Sequence, residues 1–146
     1  MEIKEVAEWF LIAKEDEIGA NDLNKESTHN LSYYHCSQAI EKYLKGYLSA
    51  NNVNINYNHD ISVTLNKCIK LDKSFEVLFT ECNEMTNIIK KLRYPGRIIA
   101  TKDDVRDALD LINKVKKMKP IQSLFNILIE NHGENWEDIL FKKLQM

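Results

Sequence analysis

Four polar side chains recur in one stretch of the sequence at the spacing of an α-helix. His35, Gln38, Lys42 and Lys45 lie three, four and three residues apart, so a helix would place them along one edge. A phosphate or an acidic side chain could bind along such an edge. The alternative is an exposed polar stripe in which Glu41 and Lys45 form an ion pair worth roughly a few tenths of a kcal/mol. Spacing alone favours this alternative.

A second candidate site surrounds a proline later in the chain. Arg93, Tyr94 and Arg97 flank Pro95 and follow two lysines. An arginine beside an aromatic ring can bind phosphate while the ring stacks on a base, as in nucleotide and RNA sites. Cations at the C-terminal end of a helix also stabilise its dipole by about 0.3 to 1 kcal/mol without any ligand. The two interpretations carry equal weight.

Two further carboxylates have structural interpretations. Asp16 borders the apolar face of a predicted first helix, and a carboxylate there needs a cation. Lys42 is the candidate partner if the first two helices pack antiparallel, in an ion pair that is structural rather than catalytic. His59 and Asp60 could act as a general base. An adjacent His-Asp pair is more often a helix cap with its neighbour, so both residues are predicted to be structural.

The composition indicates a single all-α domain. The 146 residues are 44% hydrophobic and 29% charged, with only four glycines and two prolines, and the apolar residues recur at helical spacing. The net charge of −2 argues against a general electrostatic grip on nucleic acid, so an anion site would be local. Cys36, Cys68 and Cys82 fit neither a disulfide framework nor a zinc site, and we expect them to be reduced and mostly buried.

Helical patterns cover most of the first half of the chain. The first helix is predicted over about residues 3 to 20, and Thr28 or Asn30 is a plausible N-cap of the second. An asparagine-rich segment, 51–58, is predicted to be a loop. The second helix should bury one broad apolar face, formed by Leu31, Tyr34, Cys36, Ala39, Ile40, Tyr43, Leu44, Tyr47 and Leu48.

Capping residues mark the later helices. Asp60 can cap a short third helix, and Asp72 or Ser74 a fourth that runs to Tyr94 and ends at Pro95. The segment 101–104 resembles a capping box and opens a fifth helix, which Pro120 interrupts. Two more helical pieces follow, over 121–131 and 134–144, as an appendage packed on the main bundle or on a second subunit.

Missing motifs exclude several classes of site. The sequence has no glycine-rich phosphate loop, no dinucleotide fingerprint, and no zinc-protease or serine-hydrolase motif. Its four histidines lack metal-ligand spacing, so neither a metal nor a cofactor is expected. No signal-peptide pattern opens the chain, and no apolar run approaches the roughly 20 residues that span a bilayer. We therefore expect a cytoplasmic protein with no membrane role.

Four short motifs follow one another in a fixed order, namely Trp9-x-x-x-Ala13-x-x-Asp16, His35-x-x-Gln38-Ala39-x-Glu41-Lys42-x-Leu44-Lys45, His59-Asp60-Ile61 and Arg93-Tyr94-Pro95. Together they resemble the HEPN family, whose name refers to higher eukaryotes, prokaryotes and nucleotide binding. The resemblance covers roughly Glu5 to Lys117.

The resemblance implies an up-and-down bundle of four to five core helices, commonly a homodimer, similar to the C-terminal domain of kanamycin nucleotidyltransferase. In this interpretation residues 1–120 form the HEPN-like bundle and 121–146 a C-terminal helical extension of the same domain. Small bacterial members are partnered with a minimal nucleotidyltransferase. Other members are ribonucleases, toxins among them, in which a histidine follows an arginine after four to six residues. Arg93, Arg97 and Arg106 all lack that histidine.

These features support a non-catalytic module that binds a nucleotide, RNA or a nucleotidyltransferase partner, as in a toxin–antitoxin-like pair. The predicted ligand-binding residues are His35, Gln38, Lys42, Arg93, Tyr94 and Arg97. One alternative is a divergent, metal-independent ribonuclease in which Arg93 stabilises the transition state and His35 or His59 transfers the proton. Another is a dimeric scaffold whose C-terminal apolar residues cover a partner, namely Leu124, Phe125, Ile127, Leu128, Trp136 and Phe141.

Overall fold

The computed structural model describes residues 1–55, 60–92, 94–95 and 99–145, and these residues form helices and no strand. The predicted all-α helical bundle is therefore confirmed. No described helix is both long and apolar enough to cross a bilayer. The α-helices are α1 (Ile3–Asp22), α2 (His29–Ala50), α3 (Ile61–Leu71), α4 (Phe79–Leu92), α5 (Lys102–Lys116), α6 (Lys119–His132) and α7 (Trp136–Gln145), with 3₁₀ helices at Glu26–Thr28 and Lys73–Leu78.

An antiparallel pair, α1 and α2, forms the centre of the bundle. Ser32, near the start of α2, donates a hydrogen bond of 2.6 Å to the carbonyl oxygen of Ala20, near the end of α1. Near the other end of the pair, Gly46 lies so close to Phe10 that an added Cβ would be 2.5 Å from its ring. Glycine is required there because no larger residue fits between the helices. Helices α3, α4, α5 and α6 then surround α2.

Local capping positions the later helices largely as the sequence predicts. The Asp60 carboxylate accepts a hydrogen bond of 2.9 Å from the Ser62 amide and caps α3. Thr101 and Asp104 form the predicted capping box of α5. The chain differs after Asp72, where a 3₁₀ helix precedes α4. Phe75 and Leu78 are both fully buried in that segment, and a separation of three residues suits the 3₁₀ repeat.

The start of α2 differs from prediction in its hydrogen bonds. Thr28 occupies the N-cap position, but its side chain does not cap the helix. Its hydroxyl instead donates to the carbonyl oxygen of Leu23 at 2.6 Å. Asn30 lies inside α2, and its side-chain oxygen accepts a hydrogen bond of 2.8 Å from the Ala100 amide. Asn30 thus ties the start of α2 to the segment that precedes α5.

The predicted apolar face of α2 is wrong at two positions. Leu31 is 52% exposed and Tyr34 is 44% exposed, although both fit the helical grid. The neighbouring helices pack on the side of α2 that carries Tyr33 and Ile40, both of which are buried. Successive helical residues differ by about 100°, so Tyr34 is turned away from the side that these helices cover.

The C-terminal helices pack on the bundle of their own chain. Pro120 lies in the first turn of α6, where a missing amide hydrogen costs nothing. The Phe125 ring lies 4.6 Å from the Phe10 ring, centroid to centroid, and Leu128 and Trp136 are buried. Phe141 is still 46% exposed. Most of the apolar residues assigned to a partner in the scaffold hypothesis therefore cover this chain's own core.

All three cysteines are free and buried, as predicted. Burial raises the pKa of the Cys36 and Cys82 thiols to about 12 and raises that of Cys68 as well. Nucleophilic and metal-binding cysteines react as thiolates. These three thiols are neutral core residues at physiological pH.

Candidate functional site

One carboxylate of α1 holds two side chains of α2 at the surface between the helices. The Nδ1 atom of His35 lies 2.9 Å from Oδ1 of Asp16, and the Lys42 ammonium donates to Oδ2 of the same carboxylate. The predicted pairing of Asp16 with Lys42 is thus present. We call Asp16, His35 and Lys42 the open cluster.

The open cluster is only partly covered. The side chain of His35 keeps 33% of its accessible surface and that of Lys42 keeps 23%, whereas the Asp16 carboxylate between them keeps 12%. Because Nδ1 of His35 faces the Asp16 carboxylate, the outer Nε2 is an acceptor in the neutral imidazole and a donor in the imidazolium. Nε2 has no hydrogen-bond partner among the described residues, so it is available to a ligand.

The other half of the predicted ladder is buried. Glu41 and Lys45 form an ion pair whose side chains keep only 1% and 5% of their surface, and we call them the sealed pair. Gln38 is 8% exposed and donates to Oε2 of Glu41 at 3.3 Å. The Lys45 ammonium also lies 5.7 Å from the centre of the Trp9 ring. The interpretation of Glu41 and Lys45 as an exposed pair is therefore wrong, because α1 covers this end of the ladder.

The second predicted site lies mostly outside the described residues. Arg93, Arg97 and His59 fall in the segments that the structure does not describe. Tyr94 is 64% exposed, and its amide donates to the carbonyl oxygen of Lys91 at 3.2 Å just beyond the end of α4. An exposed aromatic ring at a helix end is suited to base stacking, so the role predicted for Tyr94 stays a prediction.

The sequence reasoning missed the contact between His35 and Asp16. His35 and Lys42 are seven residues apart, which is close to two helical turns, so both stand on one line of α2. A carboxylate that reaches Lys42 from the neighbouring helix lies near that line. The seven-residue spacing could therefore have indicated a shared partner. Among the described residues, no group of three His, Cys, Asp or Glu side chains is arranged to hold a metal ion.

Comparison with protein families decides the classification. The model of the HEPN domain matches residues 6–134, which is most of the 146-residue chain. The chain belongs to the HEPN family. The match begins in α1 and ends just after α6, so the HEPN domain includes both the open cluster and the sealed pair. No curated protein and no solved structure matched the chain.

Family membership defines the function at a coarse level. It makes this HEPN chain a nucleotide- or RNA-related module. The match extends beyond Lys117, where the motif resemblance ends, and takes in α6. This agrees with the packing of Phe125 of α6 against Phe10 of α1, because a helix that completes the core belongs to the domain fold.

Proposed function

We propose that this HEPN protein is a non-catalytic module that binds the phosphates of a nucleotide or RNA at the α2 edge. The observation that supports the proposal is the open cluster, in which Asp16 holds an imidazole and an ammonium side by side at a partly open surface. The Lys42 ammonium and the imidazolium form of His35 can donate hydrogen bonds to phosphate oxygens, and a fixed donor loses less entropy on binding than a mobile surface lysine does. Gln38 contributes less directly, since its amide is engaged by Glu41.

An aromatic ring beside the open cluster supports a nucleotide rather than inorganic phosphate. Tyr34 is 44% exposed, and its ring centre lies 5.7 Å from that of His35. A base stacked on such a ring contributes about 1 to 3 kcal/mol in single-stranded nucleic acid complexes. The contacts predicted for Arg93, Tyr94 and Arg97 stay part of this proposal, and both arginines lie outside the described residues. The hydrogen bond between Asn30 and the Ala100 amide ties the start of α2 to the segment that precedes α5.

Binding of a labelled single-stranded RNA and of ATP, measured by anisotropy and calorimetry, tests the proposal. We expect Lys42→Ala and His35→Ala each to weaken binding about five- to tenfold, because each removes a charge-assisted or directed hydrogen bond. Lys70→Ala is the matched control, since Lys70 is an exposed lysine on α3. Unchanged affinity in both variants, with native circular dichroism, would refute the proposal.

A second candidate function is the divergent ribonuclease, and the contact between Asp16 and His35 favours it. A carboxylate that orients an imidazole through Nδ1 leaves Nε2 directed outward for proton transfer. In this hypothesis Arg93 stabilises the charged transition state. Degradation of single-stranded RNA that is lost in both His35→Ala and Arg93→Ala would establish the enzyme. No cleavage at high protein concentration would exclude it.

We also propose that the protein is a homodimer whose contact includes the exposed apolar residues next to the open cluster. Leu31 and Ile12 are 52% and 42% exposed on adjacent helices. Leu31→Asp should convert a dimer to a monomer in analytical ultracentrifugation, because a charge in an apolar contact is not solvated. Ile139→Asp, at an exposed position of α7, is the control.

We further propose a nucleotidyltransferase as a partner protein. Affinity capture from the source cells should recover this partner, and Lys42→Ala should weaken its contact with the chain.

A further inference from the structure

A groove between α4 and α5 lies on a different side of α2 from the open cluster. It encloses about 320 Å³, with apolar side chains of Met85, Ile88, Ala108 and Leu111 along it. Five carboxylates also line it, namely Glu81, Glu84, Asp104, Asp107 and Asp110. We call this the acidic groove. Tyr33, which also lines it, and His35 are two positions apart on α2 and so point about 160° away from each other.

The protein's own cations leave part of this charge unbalanced. Lys114 pairs with Glu81, and Arg106 lies 3.3 Å from Asp107. The Asp104 side chain accepts a hydrogen bond of 2.9 Å from the Thr101 amide in the capping box. Among the described residues, Glu84 and Asp110 have no ion-pair partner. The two carboxylates are therefore available to a cation from outside the chain.

A largely buried tyrosine lines the acidic groove with its hydroxyl unpaired within the described part of the chain. Tyr33 is only 4% exposed, and its hydroxyl makes no hydrogen bond to any described residue. Burial raises the pKa of this phenol, and so do the carboxylates of Asp104 and Glu84, which line the same groove. The hydroxyl oxygen can therefore accept a hydrogen bond from a ligand in the acidic groove.

The shape of the acidic groove distinguishes between types of cation. A divalent metal needs oxygen ligands that converge on one point, and no group of three such side chains does so among the described residues. The carboxylates instead line a cavity that has an apolar surface alongside them. Methylene groups favour apolar contact while their charged end keeps polar partners. The lining thus suits an organic cation with an alkyl chain.

We infer that the acidic groove binds an alkylammonium or alkylguanidinium group, with the methylene chain on Met85 and Leu111, the cation at Glu84 and Asp110, and the Tyr33 hydroxyl accepting a hydrogen bond. This chemistry is shared by free polyamines and by lysine or arginine side chains of a peptide. The site is separate from the phosphate site proposed above, so either proposal can fail without the other.

Calorimetry of the full chain with three probes tests the inference: spermidine, a blocked tri-lysine peptide and magnesium chloride at matched ionic strength. We expect one or both organic cations to bind. Spermidine alone indicates a polyamine site, and the peptide alone indicates a peptide site. Either result supports the shared chemistry. Binding of magnesium without the organic cations, or of none of the three at millimolar concentration, would overturn it.

Variants locate the binding. Glu84→Gln and Asp110→Asn should each weaken binding about two- to fivefold, as expected for partly exposed ion pairs. Tyr33→Phe should weaken it about two- to tenfold through the lost hydrogen bond. Glu130→Gln, at an exposed carboxylate of α6, should have no effect. Equal weakening by Glu130→Gln, or no weakening by Glu84→Gln and Asp110→Asn, would overturn the assignment to the acidic groove. Glu84 and Asp110 are both exposed, so the test does not depend on Tyr33→Phe, which changes a buried residue.

Discussion

The sealed pair and the open cluster use the same chemistry at two ends of one helix edge. Each joins a carboxylate to a lysine ammonium of α2, yet the side chains of Glu41 and Lys45 keep 1% and 5% of their surface, whereas Lys42 in the open cluster keeps 23%. An ion pair sealed from water can only hold the fold together, while one that keeps an open side can also bind a ligand. Coverage by neighbouring elements therefore distinguishes a charge pair that can only be structural from one that can also bind a ligand.

The largest expected effect is the loss of the cation in the sealed pair. Lys45→Ala should lower the free energy of unfolding by about 3 kcal/mol, because the buried Glu41 carboxylate loses the positive charge of the Lys45 ammonium. Urea denaturation measures the change. Lys70→Ala, at an exposed site on α3, should change stability by less than about 0.5 kcal/mol. A loss below about 1 kcal/mol in Lys45→Ala, which is the value for a surface ion pair, would contradict the comparison.

The glycines beside the two regions should respond in opposite directions. Gly46→Ala should destabilise the protein by about 1 to 3 kcal/mol, because its Cβ would lie 2.5 Å from the Phe10 ring and force the helices apart. Gly19→Ala should stabilise it by about 0.5 to 1 kcal/mol through helix propensity, since its Cβ would lie 3.9 Å from His35. Thermal unfolding of both variants measures this contrast. Similar destabilisation by both would mean that the two ends of the helix pair are packed equally tightly.

Alkaline pH should lower the free energy of unfolding through a buried phenol between α1 and α2, next to the open cluster. Burial raises the pKa of Tyr43. Glu17 raises it as well, and its carboxylate accepts a hydrogen bond of 2.9 Å from the Tyr43 hydroxyl. The native state therefore keeps the phenol neutral after the unfolded chain has begun to ionise near pH 10. The stabilisation is complete below that pH and is lost as pH rises above it, by about 1 kcal/mol per pH unit.

Tyr43→Phe supplies the control for the pH prediction. The variant loses the hydrogen bond to Glu17 at neutral pH but should show a shallower loss of stability above pH 10. Denaturation curves collected from pH 8 to 11 compare the two proteins. Tyr33 and the three buried thiols have raised pKa values as well, so part of the slope should persist. Equal slopes in the two proteins would contradict the assignment to Tyr43.

The smallest expected effect belongs to the open cluster. Lys42→Ala should lower the free energy of unfolding by only about 0.5 kcal/mol, because water still solvates Asp16 when the ammonium is removed. A double-mutant cycle of Lys42→Ala with Asp16→Asn measures the coupling directly. A coupling as large as that of Glu41 with Lys45 would show that the open cluster is structural and would weaken the proposal that it binds a ligand.

Local sequence signals were sufficient for most of the fold. Asp60 and Thr101 act on amides within a few residues of themselves, so their capping roles can be inferred without knowing the tertiary structure. The pairing of Asp16 with Lys42 followed from helical spacing and an assumed antiparallel packing. The resemblance to HEPN sequences was confirmed by the family match.

The failures share one physical cause, which is that periodicity does not show which elements cover a face. Leu31 and Tyr34 fit the apolar grid but lie where no described helix packs, and Lys45 fits the exposed edge but lies under Trp9. The unpartnered hydroxyl of Tyr33 likewise depends on how α4 and α5 approach α2. Such contacts join distant parts of the sequence, so they require the assembled bundle.

The ion pair between Glu17 and Lys116 bears on the order in which the bundle assembles during synthesis. The two residues are 99 positions apart, and their charged atoms are 3.1 Å from each other. Once α1 and α2 have left the ribosome they can form a helical hairpin, because the contacts between these two helices are close in sequence. The inner face of that hairpin, with Phe10 and Glu17, stays uncovered until α5 and α6 emerge from the exit tunnel. The nascent chain must therefore remain protected from aggregation through most of its translation.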